Sequence, residues 1–214
     1  MLAYAFLAEG RVEPLTGFAW PTRRGGASTW VDAEAAPREA LRGYRAHDLP
    51  YWLDDELWSV ELEGTVAARD HVLVAERARL LGRVDTWTEE LAGQFVAECA
   101  QRVARKAAVA LRDDGLAGAA YELERAIGLD ELERAALAAA ESSSPGAKLA
   151  GYVTDVCFYA RDAGSATRAA GIAAKLSAYA LAGEVDDPLV SERFASERAW
   201  QAAWLVEQLG LRPD

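Results

Sequence analysis

The chain of 214 residues has two cysteines, two histidines and three lysines, and each scarcity removes a class of function. Cys99 and Cys157 lie in segments with helical patterning and match neither a zinc spacing nor a redox pair, so two buried free thiols are expected. His47 and His71 are too few for a histidine-rich metal site, and neither belongs to an H-E-x-x-H arrangement. No metal is expected in folding or chemistry. The sequence lacks both G-x-x-x-x-G-K-[ST] and G-x-G-x-x-G, which leaves a phosphate-cradling nucleotide loop without support. No apolar run reaches the roughly 18 residues that cross a bilayer. The start, MLAYAFLAEGRVEP, has no basic residue before its apolar run, and Glu9 breaks that run, so it does not read as a secretory signal. A cytoplasmic location is the expectation.

Positive charge is also short: 34 acidic residues face 23 basic ones, a formal net charge of -11. Such a surface repels DNA, RNA and anionic membrane, and no basic run offers a local exception, so no nucleic-acid or membrane partner is expected. Hydrophobic content, 51%, is ample for a packed core.

Two kinds of patterning divide the chain. The first 85 residues are short extended segments between turn formers. Leu2 to Leu7, Gly17 to Trp20, Ser28 to Val31, Leu57 to Leu62 and His71 to Ala75 read as strands or extended pieces, with Arg23-Arg24-Gly25-Gly26 as an exposed loop. In Leu57 to Leu62 the alternation puts Leu57, Ser59 and Glu61 on one side and Trp58, Val60 and Leu62 on the other. Ala33 to Leu41 reads as a helix of a turn or two, limited by Pro37. Trp20, Trp30, Trp52 and Trp58 are expected to fill the core of a small curved sheet.

From residue 86 the pattern is helical and rich in alanine. Thr86-Trp87-Thr88-Glu89 reads as a capping box before a helix of about 25 residues that ends at Asp113-Asp114-Gly115, with Leu91, Phe95, Cys99, Val103, Val109 and Leu111 on its apolar face. Asp130-Glu131-Leu132-Glu133 repeats the signal before a helix ending near Glu141, and Ser142-Ser143-Ser144-Pro145-Gly146 is the clearest linker. Helices are expected over Ala147 to Ala163, Ser165 to Leu181 and Pro188 to Leu209, the last introduced by Asp187-Pro188. Phe194, Trp200, Trp204, Leu205 and Leu209 fall near one face of the last helix, which is expected to be docked. The acids at Asp113-Asp114, Glu131 with Glu133, and Asp186-Asp187 sit at caps and ends, where they complement helix dipoles. The expected fold class is therefore α+β, with a strand-rich domain over 1–85 packed with an alanine-rich helical bundle over 86–214.

Phe6-Leu7, Gly10, Pro14 and Gly17-Phe18-Ala19-Trp20-Pro21 form the pattern F-L-x-x-G-x-x-x-P-x-x-G-F-x-W-P. Together with Asp48-Leu49-Pro50-Tyr51-Trp52-Leu53 and Glu197-Arg198-Ala199-Trp200-Gln201, this resembles an uncharacterised actinobacterial family, a resemblance that implies no activity. Twenty of the 23 basic residues are arginine, which suits the codon bias of a high-GC genome. A looser likeness is to phage proteins with G-F-H-A-C before a V-E-L-x-G strand. Here that stretch is Gly43-Tyr44-Arg45-Ala46-His47, so roles resting on the family's histidine and cysteine do not carry over.

Two constellations could carry chemistry. Glu61-Leu62-Glu63 follows Ser28-Thr29-Trp30 and an aromatic first strand containing Tyr4, an order that resembles the layout of mono-ADP-ribosyltransferases. That resemblance implies Glu61 and Glu63 as catalytic carboxylates, Tyr4 and Thr29 as ligand contacts, and NAD as cosubstrate. Alternation places both glutamates on one face, where a carboxylate can bind a ribose hydroxyl. The first strand lacks the layout's Arg or His, and the middle motif lacks its second serine. Exposed glutamates on the wet side of a strand are the simpler reading. The second constellation is the aromatic cluster of His47, Asp48, Tyr51 and Trp52, in which a histidine beside a carboxylate supports acid–base work and flat rings hold a planar ligand. A loop anchored to the core is the simpler reading there too. Without a complete catalytic set, the expectation is a non-catalytic protein that binds a small molecule or another protein, whose helices are able to pair with those of a partner or a second copy. An ADP-ribosyltransferase-like enzyme, with NAD as the only cofactor implied, is the alternative.

Overall fold

The structure is a computed structural model that describes residues 1–21, 28–37, 40–183 and 192–212. Arg23-Arg24-Gly25-Gly26 and Asp186-Asp187-Pro188 lie outside the described residues. The fold class is α+β. The chain divides into two units, Met1–Thr88 with Gln201–Asp214, and Glu89–Trp200.

The sheet unit is built on a long hairpin. Strand β1 (Leu2–Leu7) is followed by the two-residue strands β2 (Val31–Asp32) and β3 (Arg42–Gly43), then by β4 (Glu56–Arg69) and β5 (Val72–Arg83). All pair antiparallel: β1 runs beside β4 from Leu2↔Glu61 to Leu7↔Glu56, β4 pairs with β5, and β5 also carries β2 and β3. The β4–β5 register shifts at Ser59/Val60 and between Glu63 and Val66, where Gly64 has φ +80. Bulges of this kind raise the local twist. The curl brings the chain just after β3 back to β1, where Tyr4 and Tyr44 exchange N–H···O bonds of 3.0 and 2.6 Å. The sheet thus closes on itself around Ala3, Ala5, Leu7, Val60, Leu62 and Leu73. Small residues line β1 and β3 because so tight a closure leaves little room between facing strands.

The other side of β1 is covered as well. Phe6 and Leu57 are buried, and Trp87 meets Phe6 edge to face with ring centroids 5.4 Å apart while its Nε1 donates to Asp54 O. Alternation along β4 held as expected, with Val60 and Leu62 in the core. The sequence reading stopped both hairpin strands early and missed β3. Gly17 to Trp20 contributes the isolated Val12↔Ala19 bridge and not a strand, and Ala33 to Ala36 is a turn, not a helix. Trp20 is fully buried, while Trp30, Trp52 and Trp58 are half-buried.

The helical unit is arranged around α1 (Glu89–Asp113), with α2 (Ala117–Arg125), α3 (Leu129–Ala139), α4 (Pro145–Asp162) and α5 (Ala166–Ala182). Helix α6 (Glu192–Leu209) contributes its first half here and its last turns to the sheet unit. Phe95, Val96, Cys99, Val103 and Leu111 are buried along α1, and alanines fill the positions between them. Val109, expected on that face, is exposed. Helix α2 was not anticipated.

Capping differs from the sequence reading in an instructive way. Thr86 does not cap α1; its hydroxyl donates to Leu209 O at 3.4 Å. Glu89 crosses to α5, accepting from Ala166 N at 2.5 Å and Thr167 Oγ1 at 3.3 Å, which satisfies donors left open at that helix start. Ser144 and Ser165 are side-chain caps for α4 and α5. On α6 the buried residues include Phe194, Glu197, Gln201, Leu205 and Leu209, whereas Trp200 and Trp204 are only half-buried. Arg102 pairs with Glu197 through Nε and Nη2, and its guanidinium lies 3.9 Å over the Trp200 ring.

Burial sets the cysteine chemistry. Desolvation pushes the thiols of Cys99 and Cys157 up to about 12. The thiolate is the reactive form, so at pH 8 both thiols are expected to react with a disulfide reagent on the order of 10³-fold more slowly than a free cysteine of pKa about 8.5. Two thiols should appear only on denaturation. Rapid reaction of either in the native protein would contradict this assignment.

Candidate functional site

The β4–β5 turn is two residues long, Asp70-His71, and Asp70 takes φ +48, a left-handed conformation that Asp tolerates better than most residues. This turn presents His71 at the tip of the hairpin. Facing it is a 3-10 turn, Ala46–Tyr51, in which Pro50 restricts the backbone and the side chains of Asp48 and Tyr51 are set close together.

Three contacts join these two segments, and a fourth ties Trp52 to Tyr44. His71 Nδ1 lies 2.8 Å from Asp48 Oδ1, and Asp48 is 3% exposed. The Tyr51 and His71 rings stack with centroids 3.6 Å apart and planes 10° apart. Trp52 Nε1 donates to His71 O at 3.0 Å. The Trp52 ring stacks on Tyr44 at 4.9 Å, and burial pushes the Tyr44 phenol above its ordinary range. A buried carboxylate accepting from Nδ1–H fixes the tautomer of a neutral imidazole and leaves Nε2 as its acceptor. The imidazole is therefore oriented, and one ring nitrogen remains for a ligand.

These groups border a pocket of about 470 Å³ whose wall includes Arg42, Tyr51, Trp52, Arg69 and His71. The volume lies within the usual range for small-molecule sites. Arg42 is buried against Glu13 Oε1 at 3.3 Å, and Glu13 is held in turn by the amides of Leu15 and Thr16. Arg69 is exposed at the end of β4.

The sequence-derived cluster of His47, Asp48, Tyr51 and Trp52 is gathered here, but with a different histidine at its centre. His47 is 59% exposed with Nε2 3.5 Å from Asp48 Oδ2, a looser contact than that of His71. His71 lies 23 residues beyond Asp48, and only the hairpin brings it there. Its sequence signal was weak: a histidine at a turn between two strand-like runs.

The other constellation is dispersed. Glu61 pairs with Arg79 at 2.6 Å and Glu63 with Arg77 at 3.8 Å, and both guanidinium groups lie 4.7 Å over the Trp30 ring. Arginines therefore face the carboxylates that the transferase layout assigns to ribose and the reacting centre. Tyr4 is buried, and its hydroxyl accepts from Arg212 N at 3.3 Å. Thr29 is exposed ahead of β2. Tyr4 lies on β1 and Thr29 precedes β2, the two ends of the strand order β1-β4-β5-β2. Among the described residues no group of three or more His, Cys, Asp or Glu is placed to hold a metal ion. No protein-family model, curated protein or solved structure matches this chain, so the significance of the Asp48–His71 pair rests on its geometry.

Proposed function

We propose that this is a non-catalytic binding protein whose sheet unit takes a flat, anionic small molecule in the pocket beside Tyr51 and His71. The observation that carries this reading is the stacked Tyr51–His71 pair, with His71 tied to buried Asp48, at the wall of a pocket that also presents Arg69. Side chains held this way lose little freedom when a ligand arrives, so more of the contact energy is realised as affinity. Aromatic faces suit a planar body, and an arginine suits a carboxylate. A catalytic reading would need a reacting partner for His71 Nε2, and the described wall offers the carboxylate of Asp70 and the phenol of Tyr51 for that part.

The test uses benzoate and nicotinate as probes, followed by the His71 ring resonances and tryptophan fluorescence. Saturable changes at millimolar concentration are expected, weakened about tenfold or more in Arg69→Gln, the usual worth of a hydrogen bond to a charged group. No saturable response to either probe would reject the reading. A parallel titration with NAD separates it from the transferase alternative: NAD binding that is lost in Glu63→Gln would favour the enzyme instead.

A further inference from the structure

Strand β4 is 14 residues long, and β1 covers its outer edge only as far as Leu62, whose N–H donates to Met1 O at 2.9 Å. Beyond that point Thr65, Ala67, Ala68 and Arg69 are exposed and Val66 is half-buried. The two-residue turn makes Arg69 and Val72 a hydrogen-bonded pair, and alternation along the antiparallel ladder then turns the N–H and C=O of Val66 and Ala68 away from β5. No described residue pairs with those groups. An open row of this kind is a template for another strand. We propose that it pairs antiparallel with the same edge of a second copy of this chain, about a two-fold axis at Ala67.

The edge is complementary to itself in hydrogen bonding. With the axis at Ala67, Val66 of each copy lies opposite Ala68 of the other, and each such pair exchanges both of its N–H···O bonds. Every bond then comes from an extended residue. An axis one residue earlier would call on Gly64, which the bulge holds at φ +80, and one residue later would call on Asp70, at φ +48 in the turn.

The edge is complementary to itself in charge as well. Arg69 falls opposite Thr65 of the second copy, whose N–H donates to Glu76 Oε2 at 3.0 Å and which lies two residues from Glu63. A guanidinium therefore meets carboxylates of the other copy, and the symmetry makes the contact twice. Parallel pairing in register would set the two arginines side by side, which is unfavourable. Between these charges Thr65 to Ala68 carry none, so the net charge of -11 does not oppose the contact locally. A contact that uses the same edge on both copies closes at two, so a dimer and not a fibre is expected.

Sedimentation equilibrium of the full chain tests the pairing. With about five residues a side, against roughly 20–30 in a standard interface, a dissociation constant of about 10⁻⁴ M is expected. Ala67 meets its own symmetry mate in a non-hydrogen-bonded pair, with Cα atoms about 4.5 Å apart, a distance that a disulfide spans. In a glutathione buffer Ala67→Cys should therefore form a covalent dimer about tenfold or more faster than Val109→Cys, an exposed position on α1. Cys99 and Cys157 are buried and do not compete. Ala67→Glu and Ala67→Lys should each weaken dimerisation about tenfold or more by setting like charges opposite one another, and an equimolar mixture of the two should restore it to within about threefold. Cooperative melting of each variant checks that it is folded, and none of these substitutions touches the pocket beside His71, so the result is independent of anion binding. A chain still monomeric at about 10⁻³ M overturns the proposal and leaves the edge to a strand of another protein. It is equally overturned by a dimer that both charged variants leave intact, by a mixture that fails to associate, or by equal rates of cross-linking from positions 67 and 109.

Discussion

Replacing Gly146 by valine is expected to lower the melting temperature by about 6–12 °C, the largest effect of any single substitution considered for the helical unit. Gly146 lies in the first turn of α4, where its N–H donates to Asp114 Oδ2 at 2.9 Å. A Cβ at this position would lie 2.6 Å from Leu111 N and 2.8 Å from Leu111 Cα. Both are backbone atoms in the last turn of α1 and cannot rotate away. Relief requires α4 to move off α1, which weakens the Asp114 bond and opens a gap; a gap of 0.5–1 Å already forfeits about a quarter to a half of each dispersion contact. A cost of about 3 kcal/mol follows, at the upper end for overpacking, and a chain of this size loses about 2–4 °C per kcal/mol. Gly151 on the same helix is the control, because its Cβ position is open. Gly151→Ala should raise stability by about 0.5–1 kcal/mol through helix propensity alone. Opposite signs at two glycines five residues apart would establish the close approach of α4 to α1. Equal effects in thermal melts would refute it.

In the sheet unit, Gly43→Ala is expected to cost about 1–3 kcal/mol and Gly43→Val more. Gly43 is where β3 crosses the closed sheet: a Cβ there would meet Ala3 Cβ at 2.9 Å, Val60 Cγ1 at 3.0 Å and Leu62 Cδ1 at 3.3 Å. These atoms belong to the core that closure creates, so any displacement strains the Tyr4–Tyr44 bridge. A double-mutant cycle isolates the contact. Ala3→Gly alone should destabilise by about 1 kcal/mol for loss of a strand side chain. In the Gly43→Ala background it should instead restore stability, giving a coupling of about 1 kcal/mol or more. Gly82→Ala on β5, with open space at its Cβ, should stay within about 0.5 kcal/mol. Additive losses at positions 3 and 43 in denaturant titrations would show that the two positions are not in contact.

These glycines mark where sequence reading loses its grip. Gly43 and Gly146 look in the sequence like ordinary punctuation, one in a turn-rich stretch and one in a serine-rich linker. Their importance comes from side chains that approach Gly43 from Ala3, Val60 and Leu62 and from a backbone that approaches Gly146 from 35 residues away in α1, and no local pattern encodes that. Glu89 is a similar case. Its spacing from Thr86 satisfies the capping rule, yet its carboxylate accepts from Ala166 N and Thr167 Oγ1 at the start of α5. At the candidate site, Asp48, Tyr51 and Trp52 were legible because they are neighbours in the chain. His71 was not, because its place is decided by the length and curl of a hairpin that the sequence reading ended too soon.

By itself, then, the sequence determined the quantities that depend on neighbours along the chain. It set the change from strand to helix patterning near residue 86, the alternation that buries Val60 and Leu62, and the excess negative charge. Periodicity and capping are local, with energies fixed within a few residues. Tertiary structure alone decided the closure of the sheet through Tyr4 and Tyr44, the arginine partners that face Glu61 and Glu63, and the pairing of Asp48 with His71. Each of these joins groups far apart in the chain, where ion pairing, stacking and close packing depend on distances of a few ångströms that only the folded backbone sets.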